Sequence, residues 1–248
     1  MNDVMLQINL FPGVINDADI EKLLDLCINK YKWILPAKYG HIDADIKISG
    51  DKLEDYQSKL LNTYKEYNDL IISKGNNYLI IYPDKNGFAG DVFYSNTNYS
   101  TKFKSKNIIQ EVRVIMNFLN SPIAVSGTYE MYNNFLLRDV ERDGKTQSIV
   151  TVKNYSYGLT NAFWRMWFGK DYINFFGKDK LDQTPAFYKE YKDNIYFIQL
   201  FESPYDWNTP EGLKIKEDFK KIVGENAFYD PKDPERLLTA PDFKRLYT

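Results

Sequence analysis

The chain has one cysteine, Cys27, and one histidine, His41, in 248 residues. A lone thiol excludes an intramolecular disulfide and every cysteine zinc site. A lone imidazole cannot supply the two or three nitrogen ligands that catalytic zinc or iron requires. Neither a metal nor an organic cofactor is expected. A serine or cysteine nucleophile would have to use His41 as its base, and no G-x-S-x-G elbow is present to hold one. The phosphate-cradling patterns G-x-x-x-x-G-K-[ST] and G-x-G-x-x-G are missing. "DKNGFAGD" lacks the acid spacing and closing glutamate of a calcium loop.

The chain also lacks an excess of charge of either sign. Lys and Arg total 32 against 34 Asp and Glu, a formal charge of −2 with a pI near 5.6. No global field draws it to nucleic acid or to anionic lipid, and neither is expected as a partner. No apolar run approaches the roughly 18 residues of a membrane span. The opening "MNDVMLQINLFPGVIND" has an acid at position 3 and no basic leader segment, so a signal peptide is not expected and the cytoplasm is the expected compartment.

What remains is a chain 44% hydrophobic and 16% aromatic, enough to build a core. Val4, Leu6, Ile8 and Leu10 alternate, predicting a half-buried first strand. Asn16 or Asp17 caps a helix carrying Ile20, Leu23, Leu24, Cys27 and Tyr31 at helical spacing, which makes Cys27 a buried, inert thiol. "HIDADIKI" predicts a second strand with Ile42, Ala44, Ile46 and Ile48 on one face and Asp43, Asp45 and Lys47 on the wet one. Leu53, Tyr56, Leu60, Tyr64, Tyr67 and Ile71 then mark a helix that Gly75 ends. "NYLIIYP" and "DVFY" read as strands. Ile108, Val112, Ile115, Met116 and Leu119 define a helix stopped before Pro122. From about residue 121 the chain becomes strand-rich, with Asp143-Gly144 marking a hairpin. "NIYFIQLF" is a late strand. Thr209, Pro210 and Gly224 bound a last helix. The expected class is α+β, a mixed or mainly antiparallel sheet packed by several amphipathic helices. It forms one domain divisible into two intimate halves, 1–120 and 121–248.

The densest aromatic stretch is "NAFWRMWFGKDYINFFGKD", residues 161–179. As a helix it places Trp164, Trp167, Phe168, Tyr172, Phe175 and Phe176 near one face, which predicts core more than a stacking platform. Gly169 and Gly177 each follow a Phe and precede Lys-Asp, and both are expected to close turns in the left-handed conformation.

With "PYDWNTPEGLKIKEDFKKIVGENAFYDP" downstream, this stretch resembles bacterial immunity proteins of polymorphic and type VI toxin systems. Those carry an aromatic segment ending in Phe-Gly, then a leucine and a proline, here Phe176, Gly177, Leu181 and Pro185. They end on a helix near a Gly and a Phe, here Gly224 and Phe228. The similarity spans residues 155–231. It implies a cytoplasmic protein that binds and neutralises a cognate toxin without chemistry of its own. An acidic inhibitor suits a basic toxin such as a nuclease. The resemblance transfers no contact residue. Physics nominates acids beside aromatics: Asp43 and Asp45 on strand two, and Tyr205, Asp206 and Trp207 in "SPYDWN". For Trp207 the plainer reading is a packing staple before the last helix, and for the Asp43/Asp45 pair a wet strand face instead of a cation site. Two other readings stay open. One is a histidine-independent hydrolase using Glu130, or Asp139 and Glu141; the other is a structural or phage-derived interaction protein. The oligomeric state is left open.

Overall fold

The computed structural model describes residues 4–10, 16–50, 52–82, 90–96, 103, 105–142, 144–150 and 158–243. The chain divides into two compact units, one reaching Ala124 and the other starting at Val125. The class is α+β, with antiparallel ladders in both units.

In the first unit, β1 (Val4–Leu10) pairs with β6 (Gly90–Asn96), from Val4 opposite Asn96 to Leu10 opposite Gly90. The order continues through β5 (Asn77–Tyr82), β4 (Leu70–Lys74), β2 (Lys38–Gly40) and β3 (Ile46–Lys47). β1 is not half-buried as its alternation predicts. All seven residues are buried, Gln7 and Asn9 included, so both faces of this strand are covered. The Asn9 carbonyl accepts a hydrogen bond from the Ser121 hydroxyl at 2.6 Å, one way a buried polar backbone is satisfied.

Helix α1 (Asp17–Leu24) starts on a reciprocal capping box. The Asn16 side chain accepts from the Asp19 N–H, and the Asp19 carboxylate accepts from the Asn16 N–H, both at 3.0 Å. It runs into a π-helical segment, Asp25–Lys30, which holds Cys27 fully buried. Helix α2 (Gln57–Tyr67) stops at Asn68, which takes φ 57°. The sequence carried this helix on to Gly75, but Leu70–Lys74 is strand β4. Leu70, Ile71 and Ile72 are buried there, so the run has no solvent side to reveal its period. "HIDADIKI" is likewise shorter than expected. Only Ile46–Lys47 is strand, and Ile42 is 78% exposed in the loop before it. Helix α3 (Asn107–Phe118) buries Ile108, Val112, Ile115 and Met116 as predicted.

β7 (Ile123–Thr128) leads into the second unit and is followed by α4 (Tyr129–Leu136). The hairpin of β8 (Leu137–Arg142) and β9 (Lys145–Val150) turns at Gly144; Asp143 lies outside the described residues. The remaining ladder has β12 (Ile195–Gln199) between β11 (Tyr188–Lys192) and β10 (Arg165–Phe168).

The aromatic stretch is core, but it is not one helical face. Arg165–Phe168 is a strand buried on both sides, and Lys170–Phe176 and Lys178–Gln183 are two short helices, α5 and α6. Gly169 is extended, at φ −76°, and acts as the N-cap of α5. Gly177 does take a positive φ, 84°, and separates the two helices. Phe175 stays 37% exposed, whereas Trp164, Trp167, Phe168, Tyr172 and Phe176 are buried. Trp167 faces Phe197 across the ladder with ring centroids 4.9 Å apart. Arg165 is buried as well. Its guanidinium lies 4.0 Å from the Trp164 ring centroid, and Nε donates to Gln199 at 2.8 Å. Phe176 lies parallel to Phe228, at 6.4 Å and 4°. Among the described residues no helix is long and apolar enough to cross a membrane.

Candidate functional site

The last helix, α7 (Pro210–Val223), organises the surface in front of it. Thr209 caps it, accepting the Gly212 N–H at 3.1 Å and donating its hydroxyl to the Asp206 carbonyl at 2.9 Å. Asp206 opens a 3-10 turn, Asp206–Asn208, and its carboxylate accepts the Ser203 N–H at 3.1 Å. These bonds hold the "SPYDWN" loop against the helix start.

The loop forms one wall of an open groove of about 630 Å³ within the second unit. Pro185, Ala186 and Phe187 come from the lead-in to β11, and Leu200, Phe201 and Glu202 follow β12. Asp206 and Thr209 come from the turn, and Glu211, Gly212 and Ile215 from α7. The buried Leu200 and Phe201 give it an apolar floor, while Glu202 and Glu211 are exposed at its margin. Phe187 is 59% exposed, an aromatic ring left in water beside that floor.

Of the residues nominated from sequence, Asp206 lines this groove and Tyr205 stands exposed next to it in the chain. Trp207 turns to other work. It meets the Phe135 ring edge-on at 5.6 Å, and the Lys216 ammonium lies 4.9 Å and 5.3 Å from the two ring centroids. It is not a staple in the strict sense, because Asn208 occupies the position before the cap. Burial, aided by the positive charge of Lys220, pushes the Lys216 amine down to about 8; burial likewise takes Lys220 to about 8.

Asp43 and Asp45 are exposed in the loop of the first unit, ahead of β3 and not on it. Asp43 shares a pocket of about 270 Å³ with Lys38, Ser73 and Tyr78, and Asp45 is bound back through its N–H to the Asp43 carbonyl at 3.1 Å. His41 Nδ1 pairs with the buried carboxylate of Asp69, and Tyr67 stacks on the imidazole at 4.4 Å. Sequence reading missed Asp69, which sits in the short gap between α2 and β4. Glu130 is exposed at the start of α4, and the side chains of Asp139 and Glu141 lie outside the described residues. Among the described residues no cluster of three or more His, Cys, Asp or Glu is gathered to hold a metal ion.

No family model matches the chain, and no curated protein matches it. Among solved structures it is similar to a Pseudomonas aeruginosa protein described as a T6SS protein. That likeness has a TM-score of 0.55 and 9% identity, and covers 96% of this chain and 80% of the other. At that identity the likeness is one of fold. It supports the α+β class and extends over nearly all of the chain, whereas the motif resemblance was confined to residues 155–231. Phe176, Leu181 and Phe228 of that motif are core residues of the second unit.

Proposed function

We propose that this chain is an immunity protein associated with type VI secretion, which binds a toxin effector inside the producing cell and neutralises it by occupying it, without catalysis. The observation that carries the reading is the groove in front of α7. It joins an apolar floor to an exposed Phe187 at the end of a well-capped helix, and anchor pockets of this kind hold the hot spots of protein interfaces. The T6SS neighbour supports the cellular setting, and the sequence resemblance to immunity proteins supports the role. Asp206 and Tyr205 belong to the contact surface on this reading, and Trp207 keeps the loop in place behind them.

The test is co-expression of the chain with the effector candidates encoded beside it. Relief of growth arrest by the intact protein is expected, with relief reduced by Phe187→Ala. Because Phe187 is exposed, that substitution should leave stability within about 0.5 kcal/mol of the parent. If no neighbouring gene product is toxic in a way this chain relieves, the proposal fails.

A further inference from the structure

We infer that the groove receives a cationic segment of the partner protein, an arginine or lysine flanking one apolar anchor side chain; this rests on the groove being the partner-binding surface and adds what chemistry enters it. Glu202, Asp206 and Glu211 reach the same depression from three different elements, and its lining contains no basic residue. Among the described residues none of the three carboxylates is ion-paired. Elsewhere in the same unit, Asp182 pairs with Lys178 at 2.6 Å and Asp230 with Arg236 at 3.8 Å. Glu211 has a local reason to be there, since an acid in the first turn answers the positive end of the helix dipole. That reason does not extend to Glu202. Asp206 uses one carboxylate oxygen on the Ser203 N–H and has a second to offer.

The apolar and charged parts select different features of one ligand. Leu200, Phe201 and Ile215 favour a bulky apolar side chain, and 630 Å³ lies within the roughly 300–1,000 Å³ usual for built pockets. Carboxylates at the margin favour guanidinium or ammonium groups on either side of that anchor, with arginine gaining from two-pronged pairing. The whole chain carries only −2, so this attraction is local to the groove and not a property of the net charge.

Selection of short random peptides against the full chain tests it, followed by fluorescence titration of synthetic copies. Enriched peptides should carry Lys or Arg around a Leu or aromatic residue and bind less tightly as salt rises. Their affinity should fall about tenfold in the Glu202→Gln/Glu211→Gln variant, which leaves the Asp206–Ser203 bond intact, and again in Phe187→Ala. Neutral or acidic enriched peptides, peptides that bind the double variant as tightly as the parent, or no groove-dependent peptide at all would overturn the inference. The two proposals can fail separately. A toxin whose binding survives the double variant sinks this inference and leaves the immunity role standing; groove-dependent cationic peptides with no toxin relieved do the reverse.

Discussion

Gly212 shows how tightly single residues set the groove. A Cβ there would stand 1.9 Å from the Asp206 carbonyl oxygen, a backbone atom that cannot swing away. Gly212→Ala should therefore push the Asp206–Asn208 turn outward, at a cost of about 1–3 kcal/mol. Denaturant unfolding should show the loss, and peptide binding at the groove should weaken with it. Unchanged unfolding and binding would mean that the turn is not seated against the helix. Trp207 and Lys216 make the complementary case. Trp207→Ala removes the ring shared by Phe135 and the Lys216 ammonium. It should lower stability by about 1–3 kcal/mol, because the ring is half-buried. It should affect the partner only through the loop. A Trp207→Ala variant with parental stability but no partner affinity would place Trp207 at the contact instead.

At the scale of elements, the caps of α1 and α7 and the strands β5, β6 and β12 were legible, whereas the end of α2 and the strands β4 and β10 were not. Asn16, one of the two candidates, caps α1, and Thr209, Pro210 and Gly224 bound α7 as read, because a cap is a local bond between neighbours in sequence. Thr209→Ala should cost about 1 kcal/mol by thermal or denaturant unfolding, whereas Thr209→Ser should retain most of the stability. Equal stability of all three would remove the cap from the account. Leu70–Lys74 and Arg165–Phe168 were read as helix because runs buried on both faces carry no period, and length alone cannot separate a strand from a helical turn. β1 erred the other way: its alternation is genuine, but Gln7 and Asn9 are covered as fully as their neighbours. The groove was legible only at Asp206. Its other walls come from the lead-in to β11, the end of β12 and the first turns of α7, segments that only the fold brings together. Phe187 gave no local signal beyond following Pro185 and Ala186.

For the whole molecule, the groups that the fold desolvates predict the sign of the change in stability at alkaline pH. Lys216 and Lys220 are pushed down to about 8, against an ordinary value near 10.5. Between those limits the unfolded chain binds more protons than the folded one, so stability rises with pH. Burial acts oppositely on tyrosine. It raises Tyr64 to about 12 and Tyr196 further, with Asp182 adding to the second, so the folded state holds phenolic protons that the unfolded chain releases above about 10. Stability gained below that point is lost above it. Denaturant midpoints should climb from about pH 8 toward pH 10 and fall by pH 11, with both lysines ordinary surface groups if the climb is absent. Lys216→Met should make the rising limb shallower, with Lys220 supplying what remains, and leave the falling limb in place, since the tyrosines that govern it are untouched. A falling limb that vanished with the lysine would mean that the two limbs are coupled through one structural change, and independent titration of buried groups would no longer account for the profile.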